Sequence, residues 1–323
     1  MTTGLGLVGT ARIPPPRNVL LSYYYYRRID IDRLNQPRII ADSGAFTFKQ
    51  QGKSISQNQL AAWTRKWEHN LCWVACLDVE DQQTTRNNWL NMVNDHHLPA
   101  ISTLHAGDDF QDDMDWYASQ GVDFLGIGGV AGKATSPAVV FKWIVSVFRY
   151  AEENHPQMRF HGWGMTGKEF LRLPFWSVDS SGWGSAYRYG RVMLRHPVTG
   201  KNIGVDLSRG SSGKGAFKPE VAQMLVENYG VTPSEIIKAG PHNREILVKL
   251  SALSASVQEQ QWRNQFRNKP ITAPKWGHLK GWKWGPEDHG PHMHLVDGYL
   301  PHMVAVNELC VEWDRGQKGV RNG

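Results

Sequence analysis

The stretch LPAISTLHAGDDFQDDMDWYASQGVDFLGIG, residues 98–128, carries the reading that decides the architecture. Leu98–Leu104 is a short apolar run, Phe110–Gln120 spaces its apolar residues as an amphipathic helix would, and Val122–Gly126 is a second short apolar run. A strand, a helix and a strand in so short a span form a βαβ unit, the crossover that parallel neighbours in a sheet require.

The same alternation extends in both directions. Further strands are expected at Asn18–Tyr24, Arg38–Asp42, Leu71–Asp78, Met158–Trp163 and Phe175–Asp179, and helices at Ser56–His69, Thr84–Asn94 and Ser136–Asn154. Ser136-Pro137 reads as an N-cap followed by proline in the first turn. Asp42, Asp78, His105, Gly128, Gly129, Trp163 and Asp179 each fall at or just past the C-terminal end of a strand. A TIM-type (β/α)8 barrel gathers its working groups from many strands at that end, whereas an open doubly wound sheet concentrates them at one switch point. The expected fold is therefore α/β, a TIM-type barrel over residues 1–266, with a basic insertion at about 182–215 after strand 7. Helices are expected beyond it at Lys218–Tyr229 and Arg244–Phe266. Residues 267–323 read as a Trp- and His-rich C-terminal extension.

Composition narrows the partners. With 36 Lys and Arg against 30 Asp and Glu, the 323 residues carry a net charge of +6. Residues 160–220 alone hold nine basic against four acidic side chains, so most of that excess sits in about one-fifth of the chain. Arg188, Arg191 and Arg195 alternate there with Tyr187, Tyr189 and nearby Trp183, a mixture of phosphate contacts and stacking planes that suits nucleic acid. The bland reading of the same run is a solvated basic loop. The abundance of apolar residues, 14 Trp and 32 Gly excludes a disordered chain, a collagen-like repeat and a coiled coil. Three cysteines make no disulfide framework and fit a reducing cytoplasm; Cys72 and Cys76 read as buried small residues. Residues 1–16 have no secretory pattern, and no apolar run spans a bilayer, so no membrane partner is expected.

Individual motifs leave alternatives open. Asp42-Ser43-Gly44-Ala45-Phe46 delivers a carboxylate into a tight turn, as a general acid/base or as a simple Asx cap. Gly126–Lys133 lacks the order of a dinucleotide or P-loop motif and reads as backbone approached closely by a flat ligand. His161–Gly167 places Trp163 and Met165 among glycines, suiting a stacked nucleobase or plain rim packing. Phe175–Gly184 brings Asp179 to a strand end, where a carboxylate could attack an anomeric carbon. His289–His294 suggests metal, but no partner stands at a familiar spacing, so structural or surface histidines are expected.

Taken together and in order, these segments resemble the tRNA-guanine transglycosylase superfamily, and especially its DNA-acting 7-deazaguanine branch, over about residues 18–192. Asp42–Phe46 matches the Asp-Ser-Gly-Gly-aromatic motif, Leu77-Asp78 the strand end whose Asp recognises the base, and Gly126–Gly132 the loop whose backbone reads the heterocycle. His105-Ala106-Gly107 falls on the Gln-Gly segment, and His161–Gly164 on the motif whose Met-Gly lies against the base. The Asp-Ser-Ser-Gly-Trp sequence beginning at Asp179 is similar to the DNA branch rather than to the tRNA enzymes.

The resemblance implies a pentosyltransferase that exchanges guanine in DNA for a free 7-deazaguanine base such as preQ0, with Asp179 as nucleophile and Asp42 as general acid/base. Ser43, Phe46, Asp78, His105, Gly128, Gly129, Trp163 and Gly164 would bind the base, and Arg188, Arg191 and Arg195 the nucleic acid. It also implies the setting of that branch, DNA modification by phages that evade restriction. No cofactor is implied; the tRNA enzymes' zinc site is unsupported, since Cys310 stands alone. The same chemistry on tRNA, and a non-catalytic nucleic-acid-binding barrel, are the alternatives.

Overall fold

The computed structural model describes residues 12–35, 37–78, 81–106, 109–128, 136–184, 188–189, 191–206, 217–239, 244–275 and 288–321. Nine strands form one sheet: β1 (Asn18–Ser22), β2 (Arg38–Asp42), β3 (Leu71–Ala75), β4 (Ala100–Ile101), β5 (Thr103–His105), β6 (Phe124–Gly128), β7 (Arg159–Gly162), β8 (Ser177–Ser180) and β11 (His292–Val296). Their order is β4-β3-β2-β1-β11-β8-β7-β6-β5, and every pairing is parallel. The two edge strands, β4 and β5, are separated in sequence by Ser102 alone. The sheet therefore runs back onto itself and nearly closes as a barrel.

Helices supply the crossovers: α1 (Tyr23–Tyr26), α2 (Ala45–Gln50), α3 (Gln57–Lys66), α4 (Gln82–Leu90), α5 (Phe110–Ser119), α6 (Pro137–Asn154), α7 (Pro219–Met224), α8 (Pro233–Ala239), α9 (Arg244–Gln265) and α10 (Leu300–Arg321). Their starts are written locally. Ser56 and Gln59 form a reciprocal capping box on α3, and Ser136 Oγ accepts from the Val139 amide ahead of Pro137 on α6. Along α6, Val140, Ile144, Val147 and Ala151 make one buried stripe.

Strand alternation sends one set of side chains outward against the helices and another into the barrel. On β2, Ile39 and Ala41 join the large outer core, while Ile40 joins Leu20, Trp73, Ile101, Phe124 and Trp176 inside. Arg38 and Asp42 share the inward parity of Ile40 at the two ends of the strand. The lower interior is polar: Arg263 lies 2.6 Å from His292 Nδ1 and bonds Glu259, which accepts from Asn18.

Two expectations are corrected, and a third region gains detail. Residues 267–323 are not an appendage to a sheet complete by residue 266, because β11 lies between β1 and β8. Its inward residues are His292 and His294, so His-Met-His-Leu-Val lacks the apolar inner residues that β1, β2, β3 and β6 carry. Within the basic insertion at 182–215, β9 (Arg191–Arg195) and β10 (Asn202–Asp206) pair antiparallel. This ribbon docks on α9 through Ser254 Oγ to the Met193 carbonyl at 2.7 Å. The first strand ends at Ser22, since Tyr23 turns into α1 and packs edge-on against Trp63. No helix among the described residues is long and apolar enough to cross a membrane.

Candidate active site

The C-terminal strand ends hold three acids, and the charges of Asp78 and Asp179 reach Asp42. Asp42 closes β2 directly beside Ser22 of β1. Burial pushes its carboxyl up to about 6 from 3.8. The Gly44 amide and the Ser22 hydroxyl oppose that rise, and the negative charges of Asp78 and Asp179 add to it. Gly44 sits at φ +74° with no room for a side chain: a Cβ would lie 2.8 Å from the Tyr24 backbone nitrogen. Ser43 is fully buried, and its hydroxyl accepts from the Ala45 amide at 3.3 Å, so it holds the turn that starts α2 rather than facing the mouth. Phe46, on the first turn of α2, is 52% exposed.

Asp78 follows β3 and meets His105 Nε2, at the end of β5, at 3.1 Å. Across the mouth, Asp179 is a buried residue of β8. Its Oδ1 accepts from the Gly164 amide at 2.9 Å and lies 3.2 Å from His161 Nε2. Gly164 reaches that carboxylate from the left-handed region, φ +68°. Both hydrogen bonds fall on Oδ1; among the described residues none falls on Oδ2. Burial lowers the His161 pKa, against the opposing pull of Asp179, so the ring is a neutral donor.

The glycines of β6 have a different use from the one expected. Trp163 crosses them: a Cβ on Gly126 would stand 2.3 Å from the indole Nε1, and one on Gly128 2.9 Å from Cδ1. The flat group lying on this backbone is the chain's own indole, whose Nε1 donates to Thr103 Oγ1 at 3.0 Å. The His161 ring packs edge-on to it, 4.2 Å between centroids. Trp163 stays half-buried and so presents a ring at the mouth. Gly126→Ala is expected to displace the indole and cost about 1–3 kcal/mol, read as a lower thermal midpoint with a change in tryptophan emission; unchanged emission would contradict this packing. Gly129 and Gly107 lie outside the described residues.

The arginines divide. Arg188 is exposed. Arg191 begins β9, and its side chain lies outside the description. Arg195 turns toward α9, where Nη1 lies 3.5 Å from Gln261 Oε1, and its half-burial lowers its pKa. It is committed to the protein more than an open phosphate contact would be.

Residue pattern missed His161, Thr103 and His294 as parts of this site. His161 lies within the His161–Gly167 motif, and its inward parity on β7 is the sequence signal that marks it. His294, fully buried, lies 5.8 Å from the His161 ring. The three cysteines are buried and form no disulfide; Cys310 Sγ donates to the Pro16 carbonyl at 3.3 Å. Among the described residues no group of three or more His, Cys, Asp or Glu could hold a metal ion. A cavity of about 430 Å³ opens elsewhere, between the starts of α9 and α10, and none of the three acids lines it.

Fold and site together define an α/β protein whose nearly closed parallel sheet gathers a raised carboxyl, a second acid paired with histidine, and a third held by two donors. Comparison of the chain with protein-family models, with curated proteins and with solved structures finds no match.

Proposed function

We propose that the protein is a transglycosylase built on a TIM-type (β/α)8 barrel, in which β4 and β5 count as one interrupted strand. In this reading it exchanges guanine in DNA for a free 7-deazaguanine base. The observation that carries the reading is the pairing of unlike acids at the strand ends: Asp42 raised to about 6, and Asp179 held through Oδ1 with Oδ2 left to react.

Asp179 Oδ2 bonds to C1′ of the target deoxyguanosine as the C1′–N9 bond breaks, and its electron pair passes to guanine. Asp42 supplies the proton that the departing guanine takes up. The incoming base then returns its N9 proton to Asp42 and attacks C1′, and the C1′–Oδ2 bond breaks with its pair returning to Asp179. A carboxyl near 6 can serve both directions at neutral pH, where about one molecule in ten is protonated. Asp78, held by His105 Nε2, offers a carboxylate acceptor for the edge of a guanine-like base, and Trp163 and exposed Phe46 offer stacking faces. The excess charge beyond β8 supports a nucleic-acid backbone as the partner.

The test is side-by-side incorporation of a labelled base into DNA and into tRNA. Incorporation into DNA alone is expected. Incorporation into tRNA alone would move the substrate to RNA, and incorporation into neither, with no covalent adduct, would leave a non-catalytic binding barrel.

A further inference from the structure

We infer that His161 is a positioning residue for Asp179: its Nε2–H and the Gly164 amide form a two-donor cradle on Oδ1 that holds the carboxylate for attack and favours its departure in the second half of the exchange. The inference rests on the transglycosylase reading of the site.

Register places the parts. His161 on β7 pairs with Ser177 on β8, and Asp179 lies two residues further along the same inward face. A carboxylate can only accept, so His161 must donate from Nε2. A neutral ring then accepts at Nδ1, and the Ser177 hydroxyl, 2.8 Å away, donates to it. Both ring nitrogens are thereby committed and the tautomer is set. The ring has no room to rotate: it is fully buried and packs edge-on against Trp73 at 5.1 Å as well as against Trp163. Gly164 completes the cradle through its backbone amide, presented from a left-handed conformation that glycine tolerates.

The chemistry makes the two donors unequal between steps. When the ester forms, Asp179 loses its negative charge and Oδ1 becomes a carbonyl oxygen, so the hydrogen bonds weaken. When C1′–Oδ2 breaks, the charge returns to the carboxylate and the bonds strengthen. Donors that strengthen as charge develops accelerate that step. The cradle therefore favours breakdown of the covalent adduct more than its formation.

The experiment uses the full-length protein with single-stranded and duplex oligonucleotides rich in deoxyguanosine. Adduct is followed on denaturing gels as it forms, and again during a chase with excess preQ0. In His161→Phe, breakdown is expected to slow roughly 100-fold and formation at most about tenfold, so that adduct accumulates. His161→Gln, whose amide N–H reaches the same atom, is expected to restore breakdown to within about tenfold of the natural rate. Ser177→Ala, which only releases the tautomer, is expected to slow breakdown severalfold and keeps the test open should His161→Phe fail to fold. Wild-type chase kinetics in the folded variants would overturn the inference. So would equal losses in both steps with no rescue by Gln, which would mark a merely structural role. Absence of any adduct from the wild-type protein would instead overturn the transglycosylase reading, and this inference with it.

Discussion

Asp179→Asn is expected to abolish the covalent protein–DNA adduct and to lower base exchange by roughly 10⁴-fold or more, the scale of losing a nucleophile. The substitution is nearly isosteric. Its amide oxygen can still accept from the Gly164 amide and from His161 Nε2, so the strand end keeps its geometry and the protein should fold. What disappears is the ionised oxygen that would bond to C1′. An amide also cannot offer a neighbouring negative charge to an oxocarbenium-like transition state. The measurement is a denaturing gel of protein incubated with labelled oligonucleotide, beside a base-incorporation assay. Undiminished exchange in this variant would remove Asp179 from the mechanism.

Asp42→Asn is expected to move activity and stability in opposite directions. An amide neither gives nor takes the proton, so exchange should fall by about 10³-fold, within the usual range for general acid–base catalysis. Stability should rise, and only at the right pH. In the wild type the carboxyl titrates near 6 in the folded protein and near 3.8 when unfolded, so the folded state binds its proton more tightly. Stability is therefore lost as pH climbs from about 4 to about 6, and the loss stays complete above that window. The full gap corresponds to at most about 3 kcal/mol. The partial exposure of Asp42 brings the gain expected from the substitution to about 1–2 kcal/mol. Thermal midpoints should thus be a few degrees higher than wild type at pH 8 and equal to it at pH 3.5. A variant no more stable at pH 8 would show that the ionised carboxylate is well solvated where it stands. Such a trade of stability for reactivity is the usual mark of an active-site charge.

Much of the frame was legible because its signals are local. The run Arg38–Asp42 alternates inward and outward and ends in an acid, and the structure keeps those bounds for β2. Ser136-Pro137 writes the start of α6 within two residues. Other features depend on what arrives from far away. β11 was illegible because its inward residues are histidines and its neighbours, β1 and β8, lie more than a hundred residues earlier in the chain. Gly126 and Gly128 advertise a close approach, but only the fold shows that Trp163 makes it. Arg195 looked like its neighbours in a basic run, yet docking of the ribbon on α9 turns it toward Gln261.

By itself the sequence determined that strands and helices alternate and that Asp42, Asp78 and Asp179 stand at or just past strand ends, because periodicity and turn chemistry act over a few residues. Only the tertiary structure decided that the sheet turns back on itself through Ser102, that Asp42 feels the charges of Asp78 and Asp179, and that His161 and Gly164 share one oxygen of Asp179. Those outcomes depend on distances across the barrel, and a distance between residues far apart in the chain exists only once the strands have paired.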